Sequence, residues 1–193
     1  MYALYITHPQ VQIDPAVPVP DWGLSERGRA RALLAASSGW TKEIGRFAAS
    51  TERKAIETAE ILSAGRLPVE TDHAMGENDR SATGFLPPDA FENAANWFFA
   101  HPQESFKGWE RAADAQARIV AAVERVLADH DPETPIAFIG HGGVGTLLKC
   151  HLTGKPIARD GDQPAGGGNL FAFRLADRAV TCDWTAIESW KGF

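Results

Sequence analysis

Cysteine is scarce in this chain: two in 193 residues, Cys150 and Cys182, in no Cys-x-x-Cys pair. That excludes a disulfide framework and fits thiols that stay reduced. Basic residues are outnumbered as well, 19 Lys plus Arg against 25 Asp plus Glu, for a net charge of −6. A chain whose task is to hold a nucleic-acid backbone carries the opposite bias. No apolar run approaches the ~20 residues of a membrane span. The opening Met1–Ile6 lacks the basic lead and longer apolar core of an export signal, so the expected location is cytoplasmic. What is present is ordinary globular material, 44% hydrophobic and 23% charged, on the scale of one domain over 1–193. An enzyme or a small-ligand binder remains.

Apolar periodicity alternates between strand and helix. Tyr2–Ile6 reads as a buried strand, stopped by Thr7-His8-Pro9 and followed by a proline-rich loop to Asp21. Ser25 predicts a helix cap, with Ala30, Leu33 and Leu34 as the buried stripe behind it. Phe47–Ala49 reads as a second strand, and Ser50 as the cap of a helix carrying Ala55, Ile56, Ala59 and Leu62. Pro68–Thr71 suggests a third strand, and 72–88 shows no period, which in a compact domain points to function. Helices are expected near Asp89–Ala100 and Gly108–Ala128. Pro135–Ile139 is a buried strand running into Gly140-His141-Gly142-Gly143-Val144-Gly145 and a helix over Thr146–Leu152. Asn169–Arg174 and Ala179–Ile187 close the chain as two strands. The order implies a three-layer α/β/α sandwich around a mostly parallel central sheet.

Ligands of such sheets bind beyond the carboxyl ends of the strands. Thr7-His8, Ser50 to Lys54 and Gly140-His141 all fall there. Gly140-x-Gly142-x-x-Gly145 also matches the dinucleotide-binding pattern, but the acidic residue that should end the next strand is missing: Asp160 and Asp162 lie in a loop. The remaining histidines, 73, 101, 130 and 151, have no metal-ligand spacing, so no metal or organic cofactor is expected.

Taken in order, the motifs resemble the histidine phosphatase (phosphoglycerate mutase-like) superfamily. Thr7-His8-Pro9 stands where members carry Arg-His-Gly. Leu24-Ser25-Glu26-Arg27-Gly28 is similar to Leu-Thr-x-x-Gly, and Ser50 through Ala59 to Ser-Pro-x-x-Arg-Ala-x-Gln-Thr-Ala. Met75-Gly76-Glu77 matches the segment of the family acid, Glu104-Ser105 a Glu-Ser before a long helix, His141-Gly142-Gly143 the late His-Gly-Gly, and Asn169 an Asn before the last strands. The resemblance implies that His8 attacks a phosphoryl group, that Glu77 serves as acid and then base, and that His141 steadies the transferring oxygens. Amides at Gly142 and Gly143 are additional donors.

Both family arginines are replaced. Thr7 stands for the first and Lys54 for the second, with Arg53 one place earlier. A guanidinium grips two phosphate oxygens in a fixed fork; an ammonium is a point charge and a threonine has none. Arg80 is the proposed replacement cation, with Arg53 next. The leading expectation is hydrolysis of a small phosphorylated substrate through phospho-His8, without nucleic acid or membrane as partner. A non-catalytic phospho-ligand-binding protein on the same fold is the alternative, and a homodimer stays open.

Overall fold

A computed structural model describes residues 1–192. The elements run β1 (Tyr2–Thr7), α1 (Glu26–Ser37), β2 (Arg46–Ser50), α2 (Arg53–Ser63), β3 (Val69–Asp72), α3 (Pro88–Ala100), α4 (Ala112–Ala128), β4 (Ile136–Gly140), α5 (Gly142–Leu152), β5 (Asn169–Arg174) and β6 (Val180–Ala186). The six strands form one sheet in the order β3-β2-β4-β1-β5-β6. β1 to β4 are mutually parallel, β5 runs against β1, and β6 against β5.

Central strands covered on both faces are apolar throughout, as in Leu4-Tyr5-Ile6 and Ala137-Phe138-Ile139. Alternate residues serve opposite layers. Tyr5, Phe138 and Phe171 pack with Phe98, Ile119 and Leu147 from α3, α4 and α5. Leu4, Ile6, Phe47 and Ile139 pack with Ala35, Ala59 and Leu62 from α1 and α2. The expected three-layer sandwich is therefore present. Among the described residues no helix is long and apolar enough to cross a membrane.

Three local expectations are corrected. The stripe α1 buries is Gly28, Ala32 and Ala35, whereas Ala30 is exposed and Leu33 and Leu34 are 55% and 59% exposed. The phase is set at Gly28, where a Cβ would lie 2.1 Å from the carbonyl oxygen of Gln10. Ser25 caps the helix as expected, accepting from the Gly28 amide at 3.1 Å, and its own amide and hydroxyl both donate to that Gln10 oxygen. α5 begins four residues earlier than expected, directly after His141. Ser50 does not cap α2, which starts behind Glu52; its hydroxyl oxygen instead accepts from the Glu52 amide at 3.1 Å and lies 2.9 Å from His141, just beyond β4.

Candidate active site

β2, β4 and β1 are neighbours, so their carboxyl ends bring Ser50, His141 and His8 to one edge of the sheet. His8 is fixed by its backbone, its amide donating to Gly140 O at 3.0 Å and its carbonyl accepting from the Gly168 amide at 2.9 Å. The ring nitrogen Nδ1 lies 2.8 Å from the Pro9 carbonyl. A carbonyl only accepts, so Nδ1 carries the hydrogen and Nε2 is left with its lone pair. Burial, with His141 and Lys54 nearby, lowers the His8 pKa from 6.5 to about 3. The ring is neutral at pH 7.

The His8 and His141 rings are 5.3 Å apart and edge-on. His141 is fully buried at the start of α5. Its amide and carbonyl both meet the Tyr5 hydroxyl at 3.2 Å. This contact explains two glycines of the Gly-rich turn. A Cβ at Gly140 or Gly145 would come within 2.4 Å of the Tyr5 ring or hydroxyl. Nε2 of His141 sits 2.9 Å from Ser50 Oγ and 3.3 Å from Glu52 Oε1, while its buried Nδ1 has no partner among the described residues. Burial lowers the His141 pKa to about 4, against the pull of Glu52.

Glu52 is a site residue that the motifs alone did not single out. One carboxylate oxygen accepts from the Glu77 amide at 2.9 Å and faces His141; the other takes the Lys54 ammonium. Burial opposes its charge, but His141, Lys54 and the Glu77 amide outweigh that and hold the carboxyl at about 2. The only signal in sequence was a Glu two residues from an unexpected Lys on one helix start.

Glu77 lies across the amino end of α5. Its carboxylate accepts from the amides of Gly143 and Val144 at 3.1 and 3.0 Å, and from Asn78 at 3.1 Å. Helix-end amides expected for a phosphate are thus partly taken by this side chain; Gly142 N–H alone of that turn is left toward the crevice. Arg118 of α4, another residue missed in sequence, donates to the carbonyls of Ala74, Gly76 and Glu77 and pairs with Glu110 at 2.7 Å. It holds the aperiodic segment in shape.

His8, Glu77, Arg80 and Gly142 line one crevice of about 670 Å³. Glu77 and Arg80 also line an adjoining cavity of about 870 Å³ walled by Pro15–Asp21 and Phe85. The Arg80 guanidinium lies 4.8 Å over the Phe91 ring and forms no ion pair among the described residues. The other expected phosphate ligands lie elsewhere. Lys54 is buried, its ammonium on the Glu52 carboxylate and on the Val19 carbonyl at 2.8 Å. Arg53 is largely exposed and paired with Glu57 at 2.8 Å. Thr7 is buried, its hydroxyl 2.6 Å from Gln163 Oε1 and 3.1 Å from the donating Asn169 amide. None of these three lines either cavity. No group of three His, Cys, Asp or Glu side chains among the described residues could hold a metal.

Two histidines thus meet beyond the carboxyl ends of parallel strands in an α/β sandwich, with the Glu77 carboxylate beside them. The chain belongs to the histidine phosphatase superfamily (branch 1), whose family model matches residues 11–182, and is an enzyme of that type. The match begins just after His8. Among solved structures, a mycobacterial glucosyl-3-phosphoglycerate phosphatase with inorganic phosphate is similar at 22% identity, with 98% of this chain and 99% of that one covered and a TM-score of 0.79. Bacillus stearothermophilus YhfR is 21% identical, over 97% and 99% of the two chains, with a TM-score of 0.77. An α-ribazole-5'-P phosphatase described as putative, from Escherichia coli K-12, is 19% identical over 100% and 98%, with a TM-score of 0.74. At these identities they establish a shared fold. No curated protein matches the chain in sequence.

Proposed function

We propose that the protein hydrolyses a small phosphomonoester through a phosphohistidine on His8. The observation that carries the reading is the His8 ring: neutral, tautomer set by the Pro9 carbonyl, and Nε2 free beside His141. In the first step a bond forms from Nε2 to phosphorus and the ester P–O bond breaks. Glu77, protonated on entering this step, gives that proton to the departing alkoxide and is left as the carboxylate. In the second step Glu77 takes a proton from water, whose oxygen bonds to phosphorus as the P–N bond breaks. His141 has Glu52 and Ser50 on Nε2 and nothing on Nδ1, so it takes up a proton as the anion arrives and donates to it.

The phosphatases among the structural neighbours agree with this chemistry, without identifying the alcohol. The same fold as a phospho-ligand binder is the second reading, favoured by Lys54 being neutralised by Glu52 and Arg53 facing solvent. A panel of phosphomonoesters with wild type and His8→Ala separates them. Turnover and an acid-labile phosphate on His8, both lost in His8→Ala, are expected. Phosphate-ligand binding with equal, negligible turnover in both proteins would overturn hydrolysis in favour of binding.

A further inference from the structure

The crevice holds His8 and one helix-end donor, the Gly142 N–H, yet neither of the residues aligned with the family arginines reaches it. We infer that two neutral carboxamides, Gln163 and Asn78, hold the phosphoryl oxygens in their place. The inference rests on the reading of His8 as the phosphoryl acceptor.

Gln163 stands on the loop before β5 and lines the crevice with His8 and Gly142. Its amide is not free to rotate. Oε1 accepts from the Thr7 hydroxyl at 2.6 Å and from Asn169 Nδ2 at 3.1 Å. The Asn169 amide donates to Thr7 Oγ1 at 3.1 Å, and the Thr7 hydrogen goes to Gln163 Oε1 at 2.6 Å in preference to the Asn169 carbonyl at 3.2 Å. With its oxygen held from two sides, Gln163 presents the NH₂ group to the crevice. There Nε2 lies 2.3 Å from where a Cβ on residue 142 would stand. Glycine at 142 is thus required for Gln163 to lie beside the unspent Gly142 N–H. Thr7, in the place of an arginine, does not touch the ligand; it aims a donor that does.

Asn78 supplies the second observation. It is 6% exposed, lines both the crevice and the adjoining cavity, and its Nδ2 has no partner among the described residues. A buried amide hydrogen pair without an acceptor is uncommon in a folded protein, and an incoming anion satisfies it. Its backbone amide already holds Glu77 at 3.1 Å, so the carboxamide is tied to the acid. Between them the two carboxamides bring four N–H donors and no charge; of the two arginines lining the crevice, Arg159 is paired with Glu92 and Asp162, and Arg80 forms no ion pair among the described residues. Such a cradle relies on directed hydrogen bonds in place of net positive charge, which suits a chain of net charge −6.

The test is the affinity for inorganic phosphate, by titration calorimetry, in wild type, Gln163→Glu and Asn78→Ala. Glutamate keeps an oxygen for Thr7 and Asn169 but adds a negative charge to the crevice, so the loss of the donor alone is read from Gln163→Met, of similar length and uncharged. Phosphate binding weakened at least tenfold in each variant, with kcat/KM reduced roughly 10²-fold for one lost preorganised donor and an unchanged melting temperature, is the expected result. Binding within twofold of wild type in Gln163→Glu, or no phosphate binding by wild type, overturns the inference. Binding within twofold of wild type in Gln163→Met overturns the inference whatever the glutamate variant shows. Wild type that binds phosphate through Gln163 but forms no phosphohistidine would sink the hydrolytic function and leave the cradle standing.

Discussion

Replacing Glu52 by glutamine isolates the charge on which the site is assembled. Glu52 and Lys54 form a buried pair, their side chains 12% and 4% exposed, and Glu52 also receives the Glu77 amide. The carboxyl falls from 4.5 to about 2 on folding. At roughly 1.4 kcal/mol per pH unit, that corresponds to about 3 kcal/mol of stability at neutral pH. An independent route agrees, since removing one member of a buried ion pair costs about 3–5 kcal/mol. For a chain of this size the melting temperature should fall by about 6–12 °C. Because the folded pKa is depressed, this stability is present above pH 4.5 and is lost as pH falls toward 2. The deficit of Glu52→Gln relative to wild type should shrink over the same window. Urea titrations at pH 7 and pH 3 measure it. Glu52→Gln with Lys54→Met should recover most of the loss, because the pair is removed whole. A loss below about 1 kcal/mol at pH 7, or a double variant as unstable as the two single losses added, would refute the pairing.

Three further outcomes follow from the same contacts. His8 and His141 stay neutral in the fold down to about pH 3 and 4, while unfolded histidine takes a proton near 6.5. Stability should therefore be complete above pH 6.5 and drop as pH falls below it, by up to about 2.7 kcal/mol per pH unit; His8→Asn should halve the slope, and a flat urea midpoint between pH 7.5 and 5.5 would contradict the burial. Arg118→Met removes three carbonyl contacts from residues 74–77 and should lower stability by about 2–4 kcal/mol, with faster hydrogen exchange at the Glu77 amide; unchanged exchange there would show that Arg118 does not hold the segment. Gly28→Ala places a Cβ 2.1 Å from a backbone oxygen and should cost about 2–3 kcal/mol, read by thermal melting, whereas Gly65→Ala, with open space but a φ of +70°, tests backbone strain alone.

Much of the architecture could be read from periodicity. Tyr2–Ile6, Pro135–Ile139 and the helix expected near Gly108–Ala128 are long enough for burial to decide their conformation; the two strands form as expected, and the helix forms from Ala112 to Ala128, four residues later in its start. Where several phases were open, as in α1, apolarity pointed to Leu33 and Leu34, and a single close contact at Gly28 decided otherwise.

What the chain determined by itself was its set of strand ends, because hydrophobic runs stop where polar residues begin. His8, Ser50 and His141 are marked in that way, and their convergence follows from parallel strands in one sheet. Only the tertiary structure decided how their charges and donors are shared. Lys54 looked like a phosphate ligand until Glu52 two residues earlier was seen to neutralise it. Gln163 is 156 positions from Thr7, a separation no local pattern encodes. Hydrogen-bond partners depend on ångström distances between distant segments, and those exist only once the sheet has brought β1, β4 and β5 together.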